Sequence, residues 1–124
     1  CFDWRFPETA RSLALKGADI IAHPSNLVLP DCPQAMITRC LESRIFAITA
    51  DRVGIEERIP GEELTFIGQS QVVDPDGKIL VRASETEEEV QIVDIDLEKA
   101  RDKYLNAKNE IFKDRRPDLY IHND

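Results

Sequence analysis

The sequence predicts an α/β fold, and three observations carry that prediction. Stretches with apolar residues at helical spacing alternate with short apolar runs bounded by Gly, Pro and Asp. An Asp-Pro-Asp-Gly tetrapeptide at 74–77 separates two such runs and reads as a hairpin turn. Of the 124 residues, 42% are hydrophobic and 32% charged, enough apolar matter for a folded, soluble core and too much for a disordered chain.

Pro7 is tolerated in a helix's first turn, where its missing N–H costs nothing, and Glu8 suits the positive end of the helix dipole. Ala10, Leu13 and Ala14 then recur at helical spacing, and Gly17 is a C-cap, so residues 7–16 are predicted as a helix. The apolar run 18–22 follows as a strand covered on both faces. His23-Pro24-Ser25-Asn26 ends it, and a loop with Pro30 and Pro33 leads to a second helix over 34–45. Met36, Ile37, Cys40, Leu41 and Ile45 form that helix's apolar face, and Arg39 and Glu42 can pair along it. Residues 46–53 read as a strand and 54–64 as a loop. A hairpin of strands 66–73 and 78–83 comes next, with Gly68 marking a bulge or a close approach. Residues 90–95 read as a further strand covered on both faces. Asp96 caps a last helix that buries Leu97, Ala100, Tyr104 and Leu105. A polar, arginine-bearing tail runs from Ile111 to Asp124.

The formal charge is −8, and the one basic cluster, Lys113, Arg115 and Arg116, is interrupted by acids, so no nucleic-acid partner is expected. The acidic run Glu85, Glu87, Glu88 and Glu89 reads as a hydrated loop. No apolar run reaches the roughly 20 residues of a membrane span, so no membrane partner is expected either. Three cysteines is an odd count that suits free thiols in a reducing, cytoplasmic setting. Cys1, Cys32, Cys40, His23 and His122 lack the spacing of a zinc site, and neither metal nor cofactor is expected.

Cys1-Phe2-Asp3-Trp4-Arg5-Phe6-Pro7-Glu8 carries the most specific pattern: a cysteine, an aromatic, then Asp-x-Arg-Phe-Pro-Glu. It continues through Ala10-Arg11 and Gly17-Ala18-Asp19 to His23-Pro24-Ser25-Asn26-Leu27. Arg39-Cys40-Leu41-Glu42-Ser43-Arg44, Phe66-x-Gly68-x-Ser70, Asp74-Pro75-x-Gly77, Asp94-x-Asp96 and Asp114-Arg115-Arg116-Pro117-x-x-Tyr120 follow in order. Across essentially its whole length the chain resembles the C-terminal half of the nitrilase superfamily of carbon–nitrogen hydrolases, and its wording is most like the archaeal nitrilases. Ser43 and Asp51 depart from that pattern, where asparagine is common, and leave the substrate open.

The resemblance implies the C-terminal half of a four-layer αββα sandwich. Residues 1–124 would begin at the nucleophile, and the N-terminal half would be absent. It implies a Glu-Lys-Cys triad of which only Cys1 lies here, the other two being supplied by the protein's own N-terminal half. Cys1 would attack a small nitrile or amide and form a thioester. A thiol of ordinary acidity is mostly protonated at neutral pH, so such partners are physically required. The backbone N–H of Phe2 is the expected oxyanion donor, Asn26 a substrate contact or a loop cap, and His23 a structural histidine. Asp3, Arg5 and Glu8 are expected to scaffold the turn through buried pairs or hydrogen bonds, with Trp4 and Phe6 in the core. Cys32 and Cys40 read as structural. A homodimer or larger homo-oligomer is implied, through the second helix and the tail. Two other readings stay open: an N-terminal-nucleophile hydrolase, whose base would be the Cys1 amine, and a non-catalytic interaction module of the same fold.

Overall fold

The computed structural model describes residues 1–120. Cys1 leads into a single 3-10 turn, Phe2–Arg5, followed by helix α1, Pro7–Leu15. Pro7 opens α1 as expected, and the helix stops at Gly17, whose φ of 94° is the left-handed conformation open to glycine. Strand β1, Ile20–Ser25, leads to helix α2, Cys32–Ser43, and strand β2, Phe46–Asp51. The hairpin of β3, Ile55–Ile59, and β4, Glu62–Thr65, comes next. Strands β5, Gln71–Val73, and β6, Ile79–Arg82, complete the main sheet. One helical turn, α3, Glu98–Arg101, and a small hairpin of β7, Tyr104–Asn106, and β8, Asn109–Glu110, finish the chain before a 3-10 turn at Pro117–Leu119.

The sheet order is β1-β2-β5-β6, with β1 and β2 parallel and the other two pairs antiparallel. Helix α2 is the crossover connection that the parallel pair β1–β2 requires. Helices α1 and α2 cover one face only. Trp4, Leu27, Cys32, Met36, Cys40, Ala47 and Val73 form the core there. Across the strands, Ala22 and Ile48 are paired and face the other way, and both are exposed, Ile48 to 39%. The expected strand at 18–22, buried on both faces, is thus covered on one. The structure holds one helical layer and one sheet layer of the sandwich that the resemblance implies.

Several elements differ from the sequence expectation for physical reasons. Helix α2 starts two residues early, because Pro33 falls in its first turn, where it initiates rather than breaks. It ends at Arg44, which adopts φ 47°. Leu41, placed on its apolar face, is 53% exposed, and Leu13 of α1 is exposed as well. The segment 54–64 is the β3–β4 hairpin, held by backbone pairing while Ile55, Ile59 and Leu64 stay exposed. The strand at 66–73 shrinks to three residues, since Gly68 and Gln69 both turn left-handed, at φ 59° and 57°. Their N–H groups go to Arg52 and Ser84 carbonyls across the fold. Residues 90–95 form no strand: Val90 and Ile92 are 88% and 90% exposed, and no described edge pairs with them. Asp96 does accept the Glu98 N–H at 3.0 Å, but the helix lasts one turn, and Tyr104 and Leu105 lie exposed in β7. The Asp74–Gly77 turn forms as expected, closed by Gly77 N–H to Asp74 C=O at 2.9 Å, with Gly77 at φ 75°. The end of the tail, with His122, lies outside the described residues.

Candidate active site

The parallel pair β1–β2 presents its C-terminal edge to Cys1, the kind of edge where open α/β sheets carry reactive groups. In register, His23 lies opposite Thr49 and Ser25 opposite Asp51. All four point to the helix-covered face, because alternate residues of a strand share a face. His23 is 8% exposed and Thr49 4%.

His23 joins that edge to the turn that opens at Cys1. Its Nε2 lies 3.1 Å from the Cys1 carbonyl oxygen and 3.0 Å from Ser25 Oγ, and its Nδ1 lies 3.2 Å from Thr49 Oγ1. The Cys1 carbonyl can only accept, so Nε2 carries the proton, and Nδ1 accepts from the Thr49 hydroxyl. Burial holds the imidazole below its ordinary pKa, which favours this neutral form. Three residues further along, the Asn26 backbone N–H donates to Cys1 Sγ at 3.4 Å. The end of β1 therefore holds both the main chain and the sulfur of Cys1.

Cys1 is exposed, as is Phe2, whose ring packs edge-on against Phe6 at 5.4 Å and Trp4 at 6.4 Å. The Phe2 N–H begins the 3-10 turn directly after the sulfur-bearing residue. Trp4 is buried as expected, but Phe6 is 47% exposed. Asp3, Arg5 and Glu8 do not form buried pairs: all three are exposed, and Arg5 meets Asp31 at 3.9 Å on the surface. The turn is instead braced by Arg39, whose Nε donates to the Trp4 carbonyl at 3.3 Å and whose guanidinium holds Glu42 at 3.2 Å.

The other two thiols are different in kind. Cys32 and Cys40 are fully buried, and burial pushes both pKa values up to about 12. Asp51 closes the far side of the strand edge. Its Oδ1 accepts the Leu27 N–H at 2.8 Å and its own N–H donates to Ser70 Oγ at 2.8 Å, while Oδ2 is buried without a partner among the described residues. Burial raises its carboxyl pKa. His23 is the buried, hydrogen-bonded structural histidine that was expected, while Ser25, Thr49 and Asp51 had no expected role at the site. The readable signal was polar residues at alternate positions, at the ends of two successive apolar runs.

The family model described as carbon-nitrogen hydrolase matches residues 1–103. The chain belongs to the carbon–nitrogen hydrolase family. A nitrilase of Pyrococcus abyssi is 57% identical over 121 residues, which are 98% of this chain and 44% of that protein. Among solved structures, a carbon–nitrogen hydrolase from Helicobacter pylori G27 superposes with TM-score 0.78 at 29% identity, over 97% of this chain and 45% of that one. A variant of the amidase from Nesterenkonia sp. AN1, carrying acrylamide added to its active-site cysteine, gives TM-score 0.60 at 28% identity, over 69% of this chain and 33% of that one. The chain thus spans less than half the length of each of these carbon–nitrogen hydrolases, and the resemblance to the C-terminal half of the fold is borne out.

Proposed function

We propose that this chain is the nucleophile-bearing part of a thiol hydrolase of small, non-peptide carbon–nitrogen bonds. The observation that carries the reading is the exposed Cys1 sulfur, held at the C-terminal edge of a parallel strand pair with the Asn26 N–H 3.4 Å away. An N–H aimed at sulfur favours the thiolate, the reactive form. That the Nesterenkonia amidase is modified at its active-site cysteine supports the same role for Cys1.

In the proposed reaction, Sγ forms a bond to the amide carbon while its proton passes to a glutamate. The oxyanion is met by a lysine and the Phe2 N–H. The C–N bond then breaks, and ammonia leaves with the proton that the glutamate returns. Water, deprotonated by the same carboxylate, cleaves the thioester to a carboxylic acid and regenerates the thiol. A nitrile follows the same course through a thioimidate, which takes up one water to reach the tetrahedral intermediate. The glutamate and the lysine come from the N-terminal half of the polypeptide, and Asn26 lines the substrate side of the sulfur. The reading extends to a homo-oligomer in contact through α2 and the tail, in the cytoplasm, where the free thiols persist.

The test uses the full-length polypeptide and a panel of small nitriles and amides, with ammonia release as readout. Turnover lost in Cys1→Ala, together with a substrate acyl adduct on the Cys1 peptide of the wild type, supports the proposal. Turnover retained in Cys1→Ala refutes it.

A further inference from the structure

His23 of β1 and Asn26 just after it grip Cys1 from opposite ends of the residue, and the histidine is one that the proposed chemistry does not use. Its Nε2–H is committed to the Cys1 carbonyl at 3.1 Å, with Ser25 Oγ as a second neighbour at 3.0 Å. Its Nδ1 is committed to Thr49 at 3.2 Å. Both ring nitrogens are thus engaged in binding the strand pair to the nucleophile turn. An imidazole in this arrangement cannot take the thiol proton without giving up the Thr49 bond or the tautomer that holds Cys1.

We infer that His23 is a positioning residue for the nucleophile: it pins the Cys1 carbonyl so that Sγ stands against the Asn26 N–H. The inference rests on the proposed role of Cys1 and adds a dedicated support for it. Cys1 is exposed, and among the described residues its main chain is held by hydrogen bonding to His23. The turn after it is a single 3-10 turn whose N-terminal side receives no side-chain cap. Among the described residues, the rigid element that reaches Cys1 is β1, paired to β2 along its whole length. His23 carries that rigidity to Cys1 across one hydrogen bond, and Thr49 keeps the ring from rotating. Displacement of a reacting atom by about 1 Å is enough to lower a rate roughly a hundredfold.

The test uses three substitutions at position 23 in the full-length protein, because glutamine and asparagine replace different nitrogens of the ring. The amide N–H of His23→Gln falls near Nε2 and reaches Cys1. That of His23→Asn falls near Nδ1 and reaches only Thr49. Expected for His23→Ala is a loss of about ten- to a hundredfold in kcat and in the rate of Cys1 alkylation by iodoacetamide, with KM little changed. His23→Gln recovers most of both rates, while His23→Asn matches alanine in rate but regains thermal stability through Thr49. A merely structural histidine gives the opposite pattern, with asparagine restoring activity as well as glutamine does, and that result overturns the inference. Full kcat in His23→Ala alongside a dead Cys1→Ala also overturns it while leaving the nucleophile reading intact. Turnover surviving in Cys1→Ala overturns the nucleophile reading itself, and this inference with it.

Discussion

The three thiols differ enough in setting that one reagent should separate them. At pH 8, a group with a pKa of about 12 is ionised about one part in 10⁴, which is the state that burial gives Cys32 and Cys40. A solvent-exposed thiol of ordinary acidity is about one-quarter thiolate at that pH. Ionisation alone therefore separates the buried pair from such a thiol by more than about three orders of magnitude. Burial adds to this, because both residues are 0% exposed and must wait for the fold to open before a reagent reaches them. The perturbation is iodoacetamide under native conditions, read by intact mass and by peptide mass with time. The expected result is a single adduct on the Cys1 peptide, with Cys32 and Cys40 modified only in denaturant. In the full-length protein, on the proposed reading, Cys1 should also outpace a model thiol, since a base there would take its proton. A second adduct growing at a comparable rate would refute the reasoning about burial. Alkylation of Cys1 no faster than the model thiol would remove the ground for an activated nucleophile and favour a non-catalytic module.

Three further outcomes concern the stability of the fold. At Gly68 a Cβ would fall 2.6 Å from the Glu85 carbonyl oxygen and 2.8 Å from that of Ser84, at φ 59°. Gly68→Ala should therefore cost about 3 kcal/mol or more in urea unfolding, against about 1 kcal/mol for Gly54→Ala, where φ strain acts alone, and equal losses would contradict the close approach. Asp51→Asn keeps an acceptor for the Leu27 N–H and removes a charge from a site whose burial raises the carboxyl pKa. It should stabilise by up to about 1 kcal/mol at pH 7, and the gain should shrink as pH falls through that raised value; a loss at pH 7 would show that Oδ2 needs its charge. Asp74 is 4% exposed in its side chain, and although its burial works to raise the carboxyl pKa, Lys99 at 2.6 Å and the Lys78 and Asp76 N–H groups together hold it low. That contribution is present above the ordinary carboxyl pKa of 3.8 and is lost as pH falls through the lowered value. Lys99→Met should thus cost about 1–2 kcal/mol at pH 7, discounted for a lysine side chain that is 37% exposed, and should flatten the acid limb of the stability profile; an unchanged limb would count against the pair.

What could be read in the sequence was what local chemistry enforces. Pro7 and Gly17 bracket α1, and Asp74, Pro75 and Gly77 make their turn, because each residue type acts on its own backbone. The β3–β4 hairpin was missed because it buries almost nothing, so it lacks the alternation that marks a strand. The opposite error came at 90–95. Ile92 and Val93 would face opposite sides of a strand, but apolar residues state only that such faces want covers, and none of the described residues supplies them. At the site, Cys1 stood out through the pattern around it. The His23–Thr49 pair did not, since the two lie 26 residues apart and meet only through the β1–β2 register. Asp3, Arg5 and Glu8 misled in the other direction: their charges looked like buried scaffolding, yet all three are exposed, and Arg39 from α2 braces the turn.

The uncovered face of the sheet and the exposed thiol of Cys1 belong to one problem. A parallel pair such as β1–β2 is ordinarily covered on both faces. Here α1 and α2 cover one, and the other carries Ala22, Ile48 and Ala50 toward solvent. A groove of about 220 Å³ lies on that side, between Ile48, Ala50, Val72, Val81 and Val90. Exposed apolar area of this kind is a site for another layer of protein. Relatives that are more than twice as long have the length to provide it. On the proposed reading that layer also carries the glutamate and the lysine, and Cys1 sits at the edge of the sheet it would cover. On that reading, completing the core and bringing a base and a cation to the sulfur belong to one folding event, and the hydrogen bonds from His23 and Asn26 fix the place of Cys1 on the side of the fold that this chain supplies.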